Sequence, residues 1–106
     1  MNQAREVRKF QKAQDKLWAI GVKNRDSNQC IICSSTKLLN AHHLFPREIK
    51  YLRLDIDNGC CLCPTHHKYS LEISAHRNPL AFLIWLVHNR EEQLRRLFTK
   101  YKEPKI

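Results

Sequence analysis

The sequence predicts a small α+β fold in which two short strands and a helix gather around a structural metal, flanked by an amphipathic helix at each end. Three observations predict it. All five cysteines and five of the six histidines fall between residues 30 and 76. Helical apolar spacing occupies the segments on either side. A chain of 106 residues with 42% apolar content supplies one core and no more.

The first helix belongs to residues 1–27. Ala4, Val7, Phe10, Leu17, Trp18 and Val22 recur at mostly helical spacing, with Arg5, Arg8, Lys9, Lys12 and Lys16 among them. The last helix belongs to residues 77–106. It opens at Asn78-Pro79, a capping residue followed by proline at the first helical position. Its Leu80, Leu83, Ile84, Val87, Leu94, Leu97, Phe98 and Tyr101 form one apolar stripe ending near Lys102, before Pro104. Such a helix would be about 36 Å long, more than a small core covers, so part of its stripe is expected to form a homodimer contact. Trp18 and Trp85 fit the apolar spacing and read as core residues, while His88 reads as structural or exposed.

Residues 28–76 form the central core. Thr36–Leu44 and Ile56–Leu62 are expected to pair as strands across the loop Phe45 to Asp55, and Pro64 to open a short helix through about Ser74. The three parts make one domain.

Charge narrows the partner. Nineteen Lys and Arg against ten Asp and Glu give +9, which favours a polyanion, nucleic acid before all others. No apolar run reaches the ~18 residues of a membrane span, and the start of the chain lacks a secretory apolar stretch. The expected location is cytoplasmic, where an odd number of cysteines suits metal ligation better than disulfides.

Cys30-Ile31-Ile32-Cys33 has the spacing of a zinc knuckle. Cys63-Pro64-Thr65-His66 offers a second pair at the start of the short helix, and Cys60 with Cys63 offers an alternative one. A structural zinc can contribute ~10–16 kcal/mol, comparable with the net stability of a whole domain, so a metal outweighs the reading of these cysteines as buried apolar groups. Two adjacent-histidine pairs remain, His42-His43 and His66-His67. On a strand, neighbours leave opposite faces, so one histidine can hold an ion while the next serves as a base.

Taken in order, Cys30-x-x-Cys33, Ala41-His42-His43-Leu44, Asn58-Gly59 and Leu62-Cys63-Pro64-Thr65-His66-His67 resemble the HNH endonucleases, whose ββα-metal motif sits in a zinc-bound treble clef in many members. The resemblance covers roughly residues 18–76. It implies His43 as general base, with Asn58 fixing the adjacent loop and orienting that base. His42 and His67 would hold one catalytic divalent cation, magnesium or manganese. Cys30, Cys33, Cys63 and His66 would hold the structural zinc, His66 standing where the family usually has cysteine. His76 is a further candidate for the catalytic ion, although a solvated histidine is the expected reading. Lys37, Arg47, Lys50, Arg53, Lys68 and Arg77 would contact phosphates of double-stranded DNA with weak sequence preference. Small stand-alone members of this kind are frequent in phages and mobile elements. The competing expectation is a zinc-bound treble-clef module that binds nucleic acid without cutting it.

Overall fold

The computed structural model describes residues 2–103. Helix α1 spans Gln3–Arg25, capped by the Asn2 side chain, which accepts from the backbone N–H of Ala4 and Arg5. Strands β1 (Asn40–His43) and β2 (Gly59–Leu62) form one antiparallel sheet. Helices α2 (Pro79–Asn89) and α3 (Glu91–Lys102) complete the chain. The architecture is therefore a two-stranded α+β unit with helices before and after it.

The sheet register pairs Asn40 with Leu62, Ala41 with Cys61, His42 with Cys60 and His43 with Gly59. Both strands are shorter than the sequence suggests. Leu38 takes a left-handed φ of 54°, which delays β1. Asp55 caps a 3₁₀ turn over Ile56–Asn58 by accepting from the Asp57 N–H, which delays β2.

β2 is buried on both faces. One face meets Trp18 and Val22 of α1; the other joins Phe82, Leu86 and Leu94 through Cys60 and Leu62. Gly59 is required where α1 approaches. A Cβ there would lie 2.5 Å from Trp18 Cζ2 and 2.7 Å from Val22 Cγ2.

Two expectations need correction. The C-terminal helix is two helices, broken at Arg90, whose φ of −133° and ψ of 39° are not helical. The break lets α3 turn its buried Gln93, Leu94 and Leu97 inward, with Gln93 donating to the carbonyls of Asp57 and Gly59. Arg90 itself donates to Asp26 Oδ1 and Gln93 Oε1. Glu91 and Glu92 suit the positive end of a new helix, a signal that neither proline nor glycine announces.

The short helix after Pro64 is only a π-type turn over Thr65–Tyr69. Ser70 Oγ accepts from the Ile73 N–H and Ser74 Oγ from the Arg77 N–H, local bonds that compete with continued helix. The chain then doubles back. The N–H groups of Ala75 and His76 donate to the carbonyls of His66 and His67.

Among the described residues, no helix is long and apolar enough to cross a membrane.

Candidate active site

Two Cys/His groups flank the sheet. In the first, Cys30, Cys33, Cys63 and His66 bring one ligand atom each to within 4.8 Å of one another. Cys33 Sγ and Cys63 Sγ are 3.7 Å apart, Cys30 Sγ and His66 Nδ1 3.8 Å, and Cys63 Sγ and His66 Nδ1 3.3 Å. Ligands on one tetrahedral ion at about 2.0–2.3 Å stand ~3.3–3.8 Å apart, so the donors fit a metal.

The knuckle closes because Ser34 adopts a φ of 65° and donates its N–H to the Cys30 carbonyl. Burial pushes the Cys30 thiol up, but N–H groups of Cys63, Cys33 and Ile32 outweigh burial and hold it below its ordinary value. Cys33 is pushed up to about 11, first by desolvation and also by the Cys63 and Cys30 thiols. Once Cys30 is a thiolate its charge opposes ionisation of Cys33, which a cation between them would relieve.

Cys60, the alternative fourth ligand, stands outside this group. It lies fully buried on β2 opposite His42, and burial drives its thiol far above the ordinary range. Cys61 is likewise a buried strand residue, its N–H donating to Asp26 Oδ2.

The second group is His42, His67 and His76. His67 Nε2 and His76 Nε2 are 3.2 Å apart, and the His42 ring lies 5.1 Å from His67 and 5.3 Å from His76, between centroids. Two lone pairs facing at that distance repel unless a proton or a shared cation lies between them. His67 Nδ1 is buried without a hydrogen-bond partner among the described residues. Desolvation, then the charges of His67 and His76, lowers His42 to about 4, and desolvation also lowers His67. Both are thereby kept in the neutral form that binds metals. His76 is exposed, as a solvated histidine would be, and also stands within ligand distance of His67, because the doubled-back segment after Ser70 and Ser74 carries it there.

His43 leaves the opposite face of β1, as strand alternation requires. Its ring stacks on Trp18 with centroids 3.7 Å apart, and its Nε2 is 2.9 Å from the Arg53 carbonyl. A carbonyl only accepts, so Nε2 carries the hydrogen and neutral His43 has its free lone pair on Nδ1. Burial lowers the His43 pKa despite the bond to Arg53, which raises it.

Asn58 is fully buried, and its side chain hydrogen-bonds to backbone groups. Its Oδ1 accepts from the Phe45 N–H, and its Nδ2 donates to the carbonyls of Phe45 and Leu52. Asn58 thus ties both ends of the loop that presents the Arg53 carbonyl to His43. The sequence pattern singled out Asn58 but missed Trp18 and the Arg53 carbonyl as the groups that hold the imidazole.

Of the six basic residues expected at phosphates, Lys37, Arg47, Lys50, Lys68 and Arg77 are exposed. Arg53 differs, being half-buried and donating to Asp15 Oδ1 and the Gln11 carbonyl. Arg47 shares that carboxylate through Oδ2. Arg77 donates to the Tyr69 carbonyl. His88 is exposed, and Trp85 packs against the core cluster.

Compared with known proteins, the chain is 39% identical over 61 residues to Anaredoxin from Nostoc sp. (strain PCC 7120), a match covering 53% of this chain and 79% of that protein. No family model and no solved structure matches it.

Proposed function

We propose, for a chain that belongs to the family of Anaredoxin, the function of a metal-dependent HNH endonuclease that hydrolyses DNA phosphodiesters. The observation that carries this reading is a three-imidazole group, His42, His67 and His76, on one face of β1 while His43 on the other is held with Nδ1 free. A purely structural metal module has no need of a second histidine group or of a tethered base.

In this reading Cys30, Cys33, Cys63 and His66 would hold a structural zinc in a treble clef. His42, His67 and His76 would hold magnesium or manganese, which when bound supplies positive charge at the scissile phosphate. His43 Nδ1 accepts a proton from water as the water oxygen attacks phosphorus and the bond to the 3′ oxygen breaks. Trp18 and the Arg53 carbonyl keep that imidazole aimed, and Asn58 keeps Arg53 in place.

The test is supercoiled plasmid incubated with the protein and magnesium, manganese or no added divalent ion. Relaxed or linear product that needs the ion and disappears in His43→Ala supports the reading. Duplex binding without cleavage under every condition would leave a nucleic-acid-binding treble clef instead.

The name Anaredoxin favours a second reading, a redox protein. Three thiolates and an imidazole suit iron as well as zinc, and thiolate-bound iron can exchange one electron. Metal analysis of purified protein separates the two: iron with a reducible visible absorption band supports the redox reading, and colourless zinc protein opposes it.

A further inference from the structure

Half of α1 stands away from the core. Residues 3–13 are all exposed, and only Trp18 and Val22 of the helix are fully packed. A bare helical stretch of that length is marginal in water, so its side chains need a reason beyond the core.

Arg5, Arg8, Lys12 and Lys16 recur every three or four residues, with Lys9 beside them. At ~100° per residue all five fall within a sector about 100° wide. All five are exposed. Glu6 lies outside that sector, and Asp15 at its edge is engaged by Arg47 and Arg53.

The cationic face does not stop at the helix. Arg5, Arg8, Lys9 and Lys12 line an open cleft whose far wall is Arg47. A second cleft, sharing Gln11 and Arg47 with the first, continues past Lys50 to Arg53. Arg53 is the residue whose carbonyl holds His43. A predominantly basic track, carrying Asp15 and Glu48 among its cations, therefore leads from the exposed half of α1 to Arg53, the neighbour of the proposed base.

We propose that the exposed half of α1 is a clamp on the backbone of duplex DNA, delivering it along this track to His43. Its choice of partner rests on the endonuclease reading. From Arg5 to Lys16 the helix rises ~16 Å. One DNA strand spaces its phosphates by ~3.4 Å, so this length matches about five phosphates against five cations. The exposed Val7, Phe10, Leu17 and Ile20 occupy the neighbouring sector, a pattern that an anionic membrane surface also accepts. A flat bilayer, however, does not enter the cleft between α1 and Arg47, whereas the ridge of a strand does.

The test compares the full wild-type chain with the variant R5A/R8A/K9A/K12A, without added magnesium or manganese so that binding is read apart from cleavage. Fluorescence anisotropy on a duplex of about 30 base pairs, from roughly 50 to 200 mM salt, should show at least tenfold weaker binding and a slope of log affinity against log salt shallower by about 3–4. Circular dichroism checks that the helix persists; if it does not, Lys→Gln and Arg→Gln versions replace the alanines.

An unchanged slope overturns the clamp. So does wild-type binding to phosphatidylserine vesicles through these residues with no binding to duplex. Plasmid cleavage distinguishes the two proposals. Wild-type cutting with an unaffected slope in the variant removes the clamp and leaves the nuclease. Arm-dependent duplex binding by a protein that never cuts removes the nuclease and leaves the clamp.

Discussion

Trp18 and His43 lie ring on ring, their centroids 3.7 Å apart and their planes 5° from parallel. The indole is itself anchored, donating from Nε1 to the Asp55 carbonyl at 2.8 Å. The imidazole is thus fixed by a face and by an edge, the edge being its bond to Arg53. Trp18→Leu should remove the ring-current shift of the His43 ring protons and broaden their NMR signals as the ring gains freedom. It should also cost about 2–4 kcal/mol, because the site is buried. His43 signals unchanged in the variant would mean that the stack does not hold the ring.

Gly59 sits opposite His43 in the sheet and beneath Trp18. Its φ of −149° is ordinary extended backbone, so alanine meets no conformational strain there, only side chains. Gly59→Ala should cost about 1–3 kcal/mol by overpacking. The penalty should fall when Trp18 is leucine and Val22 is alanine, because those variants open the space that the new methyl needs. Urea unfolding of the single and combined variants measures the coupling; strict additivity would refute the steric account.

Legibility in the sequence followed the range of the interactions. Cys30-x-x-Cys33 and Cys63-x-x-His66 are local patterns, and their convergence needed only two short strands between them. The alternation that sends His42 and His43 to opposite faces is a property of one strand. The approach of the exposed His76 to His67 is less legible, because it depends on Ser70 and Ser74 ending the helical turn, after which the backbone folds back on His66 and His67. The break at Arg90 was invisible for a related reason. It serves contacts with Asp26, Asp57 and Gly59, far away in the chain. The ion pair of Arg53 with Asp15 is equally illegible, because a charge in a sequence does not reveal a partner 38 residues away.

The adjacent histidines 66 and 67 belong to different groups, so their variants should fail differently. His66→Cys should keep bound metal, since thiolate is an accepted fourth ligand with three cysteines. His66→Ala should lower metal content and melting temperature together. His67→Ala should keep metal at the cysteine group and the melting temperature and, on the endonuclease reading, lose divalent-dependent cleavage. Cys60→Ser should also keep the metal, while losing stability from a hydroxyl buried at a thiol site. Metal content and thermal melts of the four proteins decide this, and metal loss confined to Cys60→Ser would reverse the assignment.

Asn58→Asp keeps size and shape but replaces an amide donor by a carboxylate facing the carbonyls of Phe45 and Leu52. The loop between them should loosen, with increased amide exchange across residues 45–55 and a loss of about 2–4 kcal/mol from unsatisfied buried groups. On the endonuclease reading the same variant should lose cleavage without losing duplex affinity, because Asn58 is buried and reaches His43 through the loop. Unchanged exchange in 45–55 would contradict the tie.

Asp26 joins three elements: its carboxylate accepts from Arg25 at the end of α1, from the Cys61 N–H on β2, and from Arg90 between α2 and α3. Burial alone would raise its pKa, but these donors outweigh burial and hold it below its ordinary value. A carboxylate depressed in the folded state stabilises fully above its unfolded pKa of ~3.9 and loses that contribution as pH falls through the folded value. Asp26→Asn should therefore cost about 3–5 kcal/mol at neutral pH, where it leaves Arg25 and Arg90 without their shared anion. The cost should begin to shrink as pH falls below ~3.9, where the unfolded carboxyl takes up a proton, and should keep shrinking until the folded carboxyl is neutral as well. Acid release of a thiolate-bound metal would act on both proteins alike, so the difference between their melting temperatures isolates Asp26. Asp57→Asn should cost less, because its partners Arg96 and Lys100 are much more open to solvent. A melting-temperature difference for Asp26→Asn that stays constant from neutral pH down to ~3 would show that the carboxylate's charge does not hold the three elements together.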